Sequence, residues 1–337
     1  MAHTIYDNFV LENALENQLT TGLDMALFLT VDNSLALEAG MKKKVHVYSG
    51  TGDVEDLQMG SGNSASMEIG FIEKEYEVGV TQGRGVYYDE QAMRDPFAID
   101  SLVKYMGDTM INDFTEKAIN EMKNAELGQV VSTWNFDAVV DAISKMPIEN
   151  ATGGFMLVHR DQLAALRKNL KDDLKYVEAF ARSGYIGTVA GFNVYVSNAV
   201  PSGLAFLGFK EAVTAFIKKG IEVEQERDAN TRKNSVFNRK VALVAFTDAN
   251  KLVMMGAGQA TAATITTYTA EAKTVAGAAT TGATVEVYIN GKLDKTATAA
   301  NSAYSVTCSE NLASGDKVKV IAKLDGYINS VANKTVE

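Results

Sequence analysis

The residue patterns in this chain that invite a chemical reading are few, and each has a plainer explanation beside it. His159-Arg160-Asp161 matches the opening of a protein-kinase catalytic loop. That loop requires an asparagine five residues beyond the aspartate, together with a Gly-rich strand and a metal-binding Asp-Phe-Gly. Leu166 occupies the asparagine position and neither partner motif occurs, so Asp161 is expected instead to cap a helix carrying Leu163, Leu166 and Leu170. Gly50-Thr51-Gly52 and Gly60-Ser61-Gly62 resemble phosphate loops, but neither is followed by the Lys-Ser/Thr pair and helix start that would cradle a phosphate. Gly83-Arg84-Gly85 reads as a turn in a returning ribbon. The acidic pairs Glu73/Glu75 and Asp172/Asp173 lack the aromatic platform of a sugar site, with Trp134 the one tryptophan, and read as solvated faces. Cys308 stands alone, which excludes an intrachain disulfide and a cysteine metal cluster and leaves a buried, idle thiol. His3, His46 and His159 lack metal-ligand spacing. Asn150-Ala151-Thr152 and Asn333-Lys334-Thr335 fit the glycosylation pattern, which arises readily by chance. No catalytic, cofactor-binding or metal-binding constellation emerges, and the chain is expected not to be an enzyme.

What remains is a chain built for packing. Its 337 residues suit two or three domains, and 46% hydrophobic content supplies real cores. No apolar stretch approaches the roughly 20 residues that span a bilayer, and the start Met-Ala-His-Thr lacks the layout of a secretory signal, so a cytoplasmic origin and no membrane partner are expected. The formal charge of −10 disfavours a surface made to grip nucleic acid. An acidic surface repels phosphate and offers no basis for sequence-specific DNA binding. Charge also marks a boundary. From Ala262 onward seven lysines balance seven acids with no arginine, so the whole excess lies in residues 1–261.

The junction is the small-residue run Gly256 to Ala263. Beyond it, over 262–337, short alternating strands are expected. Val285, Val287 and Ile289 share one face against Glu286 and Tyr288, and Asn290-Gly291 follows as a tight hairpin turn in which both residues need positive φ. Tyr304 to Thr307, and Val318, Val320 and Ala322 alternating with Lys317, Lys319 and Lys323, complete a small all-β sandwich. Before the junction the texture is α+β. Residues 1–40 carry Leu11, Leu15, Leu19 and Leu23 without a clear core face and read as an arm. Residues 41–95, glycine-rich with alternating runs at Val45–Tyr48 and Tyr76–Val80, read as a long polar hairpin that needs a partner surface.

Asp95-Pro96 then starts a helix with Ile99, Leu102, Met106, Met110, Phe114, Ala118 and Met122 on one stripe, closed by Gly128. About 32 residues would make a rod of roughly 48 Å. Asn135 caps a second helix with Phe136, Val139, Val140, Ile143 and Met146 inward and Pro147 at its end. Strands follow at Phe155–His159, Phe192–Val196, Leu204–Leu207, Ile221–Gln225 and Val241–Phe246, with helices from Asp161 and near Glu211–Lys218.

An arm, an extended ribbon, one long helix and a compact α+β region resemble the tailed-phage major capsid fold of Hong Kong 97 type. The resemblance covers most of residues 1–256. It is carried best by Gly184-Tyr-Ile-Gly-Thr-Val-Ala-Gly-Phe-Asn-Val-Tyr-Val-Ser197, by Pro201-Ser-Gly-Leu-Ala-Phe-Leu-Gly208 with Ala212, and by Glu222-Val-Glu-Gln-Glu-Arg-Asp228. It implies an N-arm at 1–40, an E-loop at 41–95, a P-domain with spine helix at 96–150 and 220–256, and an A domain at 151–219. The tail, through Gly282–Gly291, Ala303–Val306 and Ser314–Val320, is similar to bacterial and phage Ig-like modules, which also lack the Cys-Trp-Cys core of antibody domains.

What the resemblance implies is assembly: hexamers and pentamers of this chain closing an icosahedral shell around DNA, with the Ig-like module outside. It implies a portal and, since this chain leaves no room for an N-terminal scaffolding segment, a separate scaffolding protein. The product would be a virion capsid assembled in the bacterial host cytoplasm, and analogy alone assigns the module weak adhesion to an outer ligand. Inter-subunit contacts are expected at ribbon positions Glu73, Lys74, Glu75 and Arg84 and at helix positions Met106, Met110 and Phe114. Lys74 lies on the ribbon, but no asparagine is identified as a cross-linking partner for it. A tail-tube protein with the same appendage would form rings and would not need the long helix. A surface glycan-binding protein or enzyme with an Ig-like module would need export and more aromatic residues. A bacterial nanocompartment shell shares the fold. Changing Phe114 to Asp is expected to abolish soluble shells, as seen by electron microscopy.

Overall fold

The computed structural model describes residues 27–37, 40–51, 55–63, 68–95, 97–148, 153–170, 187–259, 263–266, 268 and 273–336. Most of the expected arm, Pro96, the Asn150–Thr152 triplet and Gly184–Ile186 lie outside them. In chain order the strands are β1 Thr30–Asp32, β2 Lys42–Thr51, β3 Glu68–Glu77, β4 Gly79–Tyr88, β5 Leu127–Val130, β6 Phe155–Val158, β7 Thr188–Val189, β8 Phe192–Val196, β9 Leu204–Gly208, β10 Val213–Asp228, β11 Lys233–Phe246 and β12 Leu252–Gly256. The C-terminal part adds β13 Thr274–Ala278, β14 Thr284–Ile289, β15 Lys292–Thr298, β16 Ala303–Thr307, β17 Lys317–Lys323 and β18 Ser330–Thr335. The chain forms two compact units, one from 1–43, 76–121 and 213–245, the other from 44–75, 122–212 and 246–337.

In the first unit a four-stranded sheet runs β1-β10-β11-β4, and the long helix Ala98–Met122 packs on it. The Asp95 carboxylate accepts the Phe97 N–H at 3.0 Å and so satisfies one of the donors left over at the helix start. Ile99, Val103 and Met106 then bury one stripe against Tyr87, Val223 and Val236. The helix is 25 residues, about 38 Å, and not the 32 expected. It stops at Met122 because the following residues turn into β5, which pairs in parallel with β12, so Gly128 is a strand residue and not a helix terminator.

Two further expectations are corrected here. Gly79–Tyr88 does not belong to the ribbon but pairs antiparallel with β11 along its length. Gly83-Arg84-Gly85 is therefore mid-strand and not a turn. Its glycines are there for closeness: a Cβ on Gly85 would stand 2.6 Å from Met106 Sδ and 3.0 Å from Leu102, and one on Gly83 would stand 2.4 Å from Asn238 Oδ1 directly across the ladder. The helix expected near Glu211–Lys218 is a short 3-10 turn, Lys210–Ala212, running into β10. Thr214, Ala215 and Phe216 pair with β1, and tertiary pairing overrides local helix preference.

In the second unit a six-stranded mixed sheet runs β5-β12-β9-β6-β8-β7. Strands β6, β9 and β12 are buried throughout, which explains their unbroken apolar runs. The helix Phe136–Ser144 is capped as expected, Asn135 accepting the Ala138 N–H at 2.9 Å. Its buried stripe is Ala138, Val139, Ala142 and, just beyond, Met146, while Phe136 and Val140 face outward, contrary to expectation. In the next helix, Arg160–Asn169, the cap is His159, whose Nδ1 accepts the Asp161 N–H at 3.2 Å, and not Asp161 itself.

The C-terminal strands form a pair β13-β16 and a sheet β18-β17-β14-β15 around one core of Val275, Val285, Val287, Tyr304, Val306, Val318 and Val320. Asn290 and Gly291 take φ of +49° and +81°, as the hairpin required. The ribbon β2-β3 continues the same sheet, β3 lying beside β15.

Replacing Gly85 by Ala is predicted to lower unfolding stability by about 1–3 kcal/mol, because Met106 and Leu102 must move to admit a methyl group. Denaturant unfolding measures this, and an unchanged midpoint would show that the helix shifts freely.

Candidate functional site

The candidates for function are surfaces that could bury area on another molecule, together with the polar and titratable groups of the described residues. Among the described residues no group of three or more His, Cys, Asp or Glu side chains could hold a metal ion. Cys308 is buried, and burial followed by the nearby Asp294 carboxylate pushes its thiol pKa up, which keeps thiolate scarce at neutral pH. Burial likewise raises the Tyr304 hydroxyl to about 12; it donates to the Thr264 carbonyl at 2.9 Å. Both groups serve the sandwich core.

The ribbon residues are occupied within the chain. Across the β2-β3 ladder Glu73 accepts from Lys44 at 2.6 Å and lies 3.4 Å from His46. The Lys44 ammonium holds the Glu73 carboxyl below its ordinary value, and Glu73 in turn raises Lys44. Lys74 Nζ lies 5.9 Å from the Tyr288 ring and 6.0 Å from the Phe246 ring. Glu75 is exposed. In the first unit Arg84 is exposed, donates to Ser235 Oγ at 3.1 Å and stacks 5.5 Å from the Phe237 ring. Met106 and Met110, expected at inter-subunit contacts, are buried within the chain. Phe114 is half-buried in a shallow groove with Thr81, Asp113 and Lys117, its ring 4.2 Å below Lys240 Nζ. Burial lowers the Lys240 pKa. An aspartate at 114 would thus face an ammonium, so Phe114→Ala is the cleaner probe of that groove.

The sequence reading missed two sets of residues. The first is a set of exposed apolar side chains: Phe97 at 72% and Tyr105 at 70% in the first unit, and Val130, Phe136 and Val140 in the second. The signal for Phe136 was present, since 138, 139, 142 and 146 define a stripe that excludes it. Contiguous apolar area marks surfaces that partners cover, whereas side chains exposed singly are ordinary. The second set is the polar face of the C-terminal sheet. Lys319 pairs with Glu126 at 2.5 Å, and Lys323 reaches Glu286 at 2.6 Å and the Asn124 carboxamide at 2.8 Å. The Asn329 carboxamide donates to the Lys123 and Ala125 carbonyls at 2.7 and 3.0 Å, just past the end of the long helix. Ile328 fills the space over Gly128 and Gly256, neither of which has room for a Cβ without displacing it. Two of the lysines that alternate along β17, Lys319 and Lys323, thus form an internal joint, while Lys317 is exposed.

The described residues thus form strand-rich units with a long helix and an extended ribbon. The chain belongs to the phage capsid protein family, whose model matches residues 74–255. Among solved structures it is similar to the virus-like particle from Pyrococcus furiosus, at 11% identity and TM-score 0.54, covering 74% of this chain and 100% of that one. It is also similar to Mycobacterium phage Che8 at 13% identity and TM-score 0.53 (67% and 88% covered), and to the bacteriophage PhiM1 mature capsid at 11% and 0.53 (68% and 85%). At these identities the likeness is one of fold. No curated protein matches the chain.

Lys319→Met and Glu126→Met are each predicted to cost about 1–3 kcal/mol, and the double variant to recover about 1–2 kcal/mol of their sum, because one partner alone leaves a half-buried charge unpaired. A double-mutant cycle by denaturant unfolding checks this, and additivity would mean that the pair contributes nothing.

Proposed function

We propose that this chain is the major capsid protein of a tailed phage, assembling as hexamers and pentamers into a closed icosahedral shell around DNA in the host cytoplasm. The observation that carries the reading is the family match over 74–255, which lies on a fold that spans the whole of a virus-like-particle chain. The acidic excess, −10 overall, supports a wall that encloses DNA without gripping it. Residues 262–337 are read as an Ig-like module on the outer face, a reading supported by two packed antiparallel sheets around a shared core. Neighbouring subunits would be met by exposed Glu75 and Arg84 and by Phe97, Tyr105, Phe136 and Val140, with a separate scaffolding protein and a portal as further partners. Glu73, Lys74 and Phe114 contribute by holding their elements in place.

The likeness over the whole chain of the virus-like particle from Pyrococcus furiosus supports one second reading, a proteinaceous compartment in place of a phage head.

The test is electron microscopy of the full chain co-expressed with its scaffold, with a biotin-acceptor peptide inserted beside exposed Glu310. Closed shells that bind streptavidin while intact are the expected result. Shells that bind it only after disruption would place the module inside. Tubes or stacked rings would move the protein to a tail, and a monodisperse monomer would end the capsid reading. Packaged nucleic acid in mature particles separates the phage shell from the compartment.

A further inference from the structure

Among the described residues, the ribbon meets the C-terminal sheet in the backbone at Glu73. The Glu73 N–H donates to the Gly291 carbonyl at 2.8 Å, and Glu73 stands in parallel register with Lys292. The strands of this hairpin are ten residues each, so side chains near that point bear on its orientation. The side chains on either side of that point differ in what they meet. Successive side chains of a strand point to opposite faces. Glu73 faces Lys44 and His46 across the ribbon itself. Lys74 points the other way, towards the rings of Tyr288 in β14 and Phe246 at the end of β11, both almost wholly buried.

We propose that Lys74 is a positioning residue through which the C-terminal sandwich fixes the pose of the ribbon. An ammonium within about 6 Å of an aromatic face is attracted to it, and more strongly when the ring is shielded from water. Two such rings, one from the sandwich and one from the shell fold, hold the root of β3 from one side while the Gly291 carbonyl holds it along the strand. The Tyr288 ring is itself fixed. Its hydroxyl donates to Glu286 at 2.8 Å, Glu286 takes Lys323, and Lys323 reaches Asn124. A continuous set of contacts thus runs from the ribbon root, through the outward side of β14 and β17, to the segment after the long helix. In this arrangement the sandwich acts as a brace for the ribbon, whatever the ribbon later touches in a shell.

The experiment is hydrogen exchange by mass spectrometry on the full-length, unassembled protein and two variants that keep the stem of the side chain. Lys74→Met removes the ammonium and its donors but keeps an unbranched stem; Lys74→Arg keeps a cation that also stacks on rings. Peptides covering 42–51 and 68–77 are expected to exchange about tenfold faster in Lys74→Met. Peptides covering 284–289 and 317–323 should be unchanged, and Lys74→Arg should restore the ribbon. Unchanged ribbon exchange in Lys74→Met overturns the proposal, as does equal loosening in Met and Arg, which would make Lys74 mere packing. Because the protein is unassembled, the outcome is independent of whether shells form.

Discussion

The second unit depends on how the chain satisfies the backbone carbonyls just past the long helix. The residues after Met122 leave carbonyls without helical partners, and unpaired backbone groups in a buried place are costly. The Asn329 carboxamide, itself buried, donates to two of them, at Lys123 and Ala125. Around that point Lys319 and Lys323 meet Glu126, Asn124 and Glu286, and Ile328 covers two glycines. The C-terminal sandwich is therefore joined to the shell fold by polar contacts that are fully made, and not merely strung after it.

Several elements were legible because their signal was local. Asn290-Gly291 demands two positive φ angles and adopts them, the Asn135 cap is in place, and β8, β9 and β14 lie where apolar alternation or apolar runs put them. The errors share one cause, a decision made by distant residues. Tyr288 and two lysines of β17 alternate with the core face, yet their partners come from β3 and from the segment between the long helix and β5, which no local period announces. Gly83 and Gly85 look like turn residues in one dimension. Only the ladder with β11 and the approach of Met106 show them to be contact residues. Met106 and Met110 were placed on the correct helix stripe, but periodicity says only that a stripe is covered, not whether the cover comes from the same chain or another.

The same distinction organises the functional reading. Groups that a motif search would single out, such as Cys308, the His159–Asp161 run and the ribbon acids, are engaged in burial, capping and cross-strand pairing. What faces outward is ordinary in type and informative in place: Phe97 and Tyr105 on the first unit, Phe136 and Val140 on the second. A shell protein concentrates its function in such surfaces, because association draws on apolar area left uncovered in the single chain.

The Asn329 contact also sets an order of events during synthesis. Its partner carbonyl at Ala125 precedes it by 204 residues. At a ribosomal pace of about 5–20 residues per second, the segment after the long helix waits roughly 10–40 s for the donor that completes it. A chain interrupted anywhere before that asparagine lacks the donor that pairs the Lys123 and Ala125 carbonyls, so the segment after the long helix stays incomplete until Asn329 has been made.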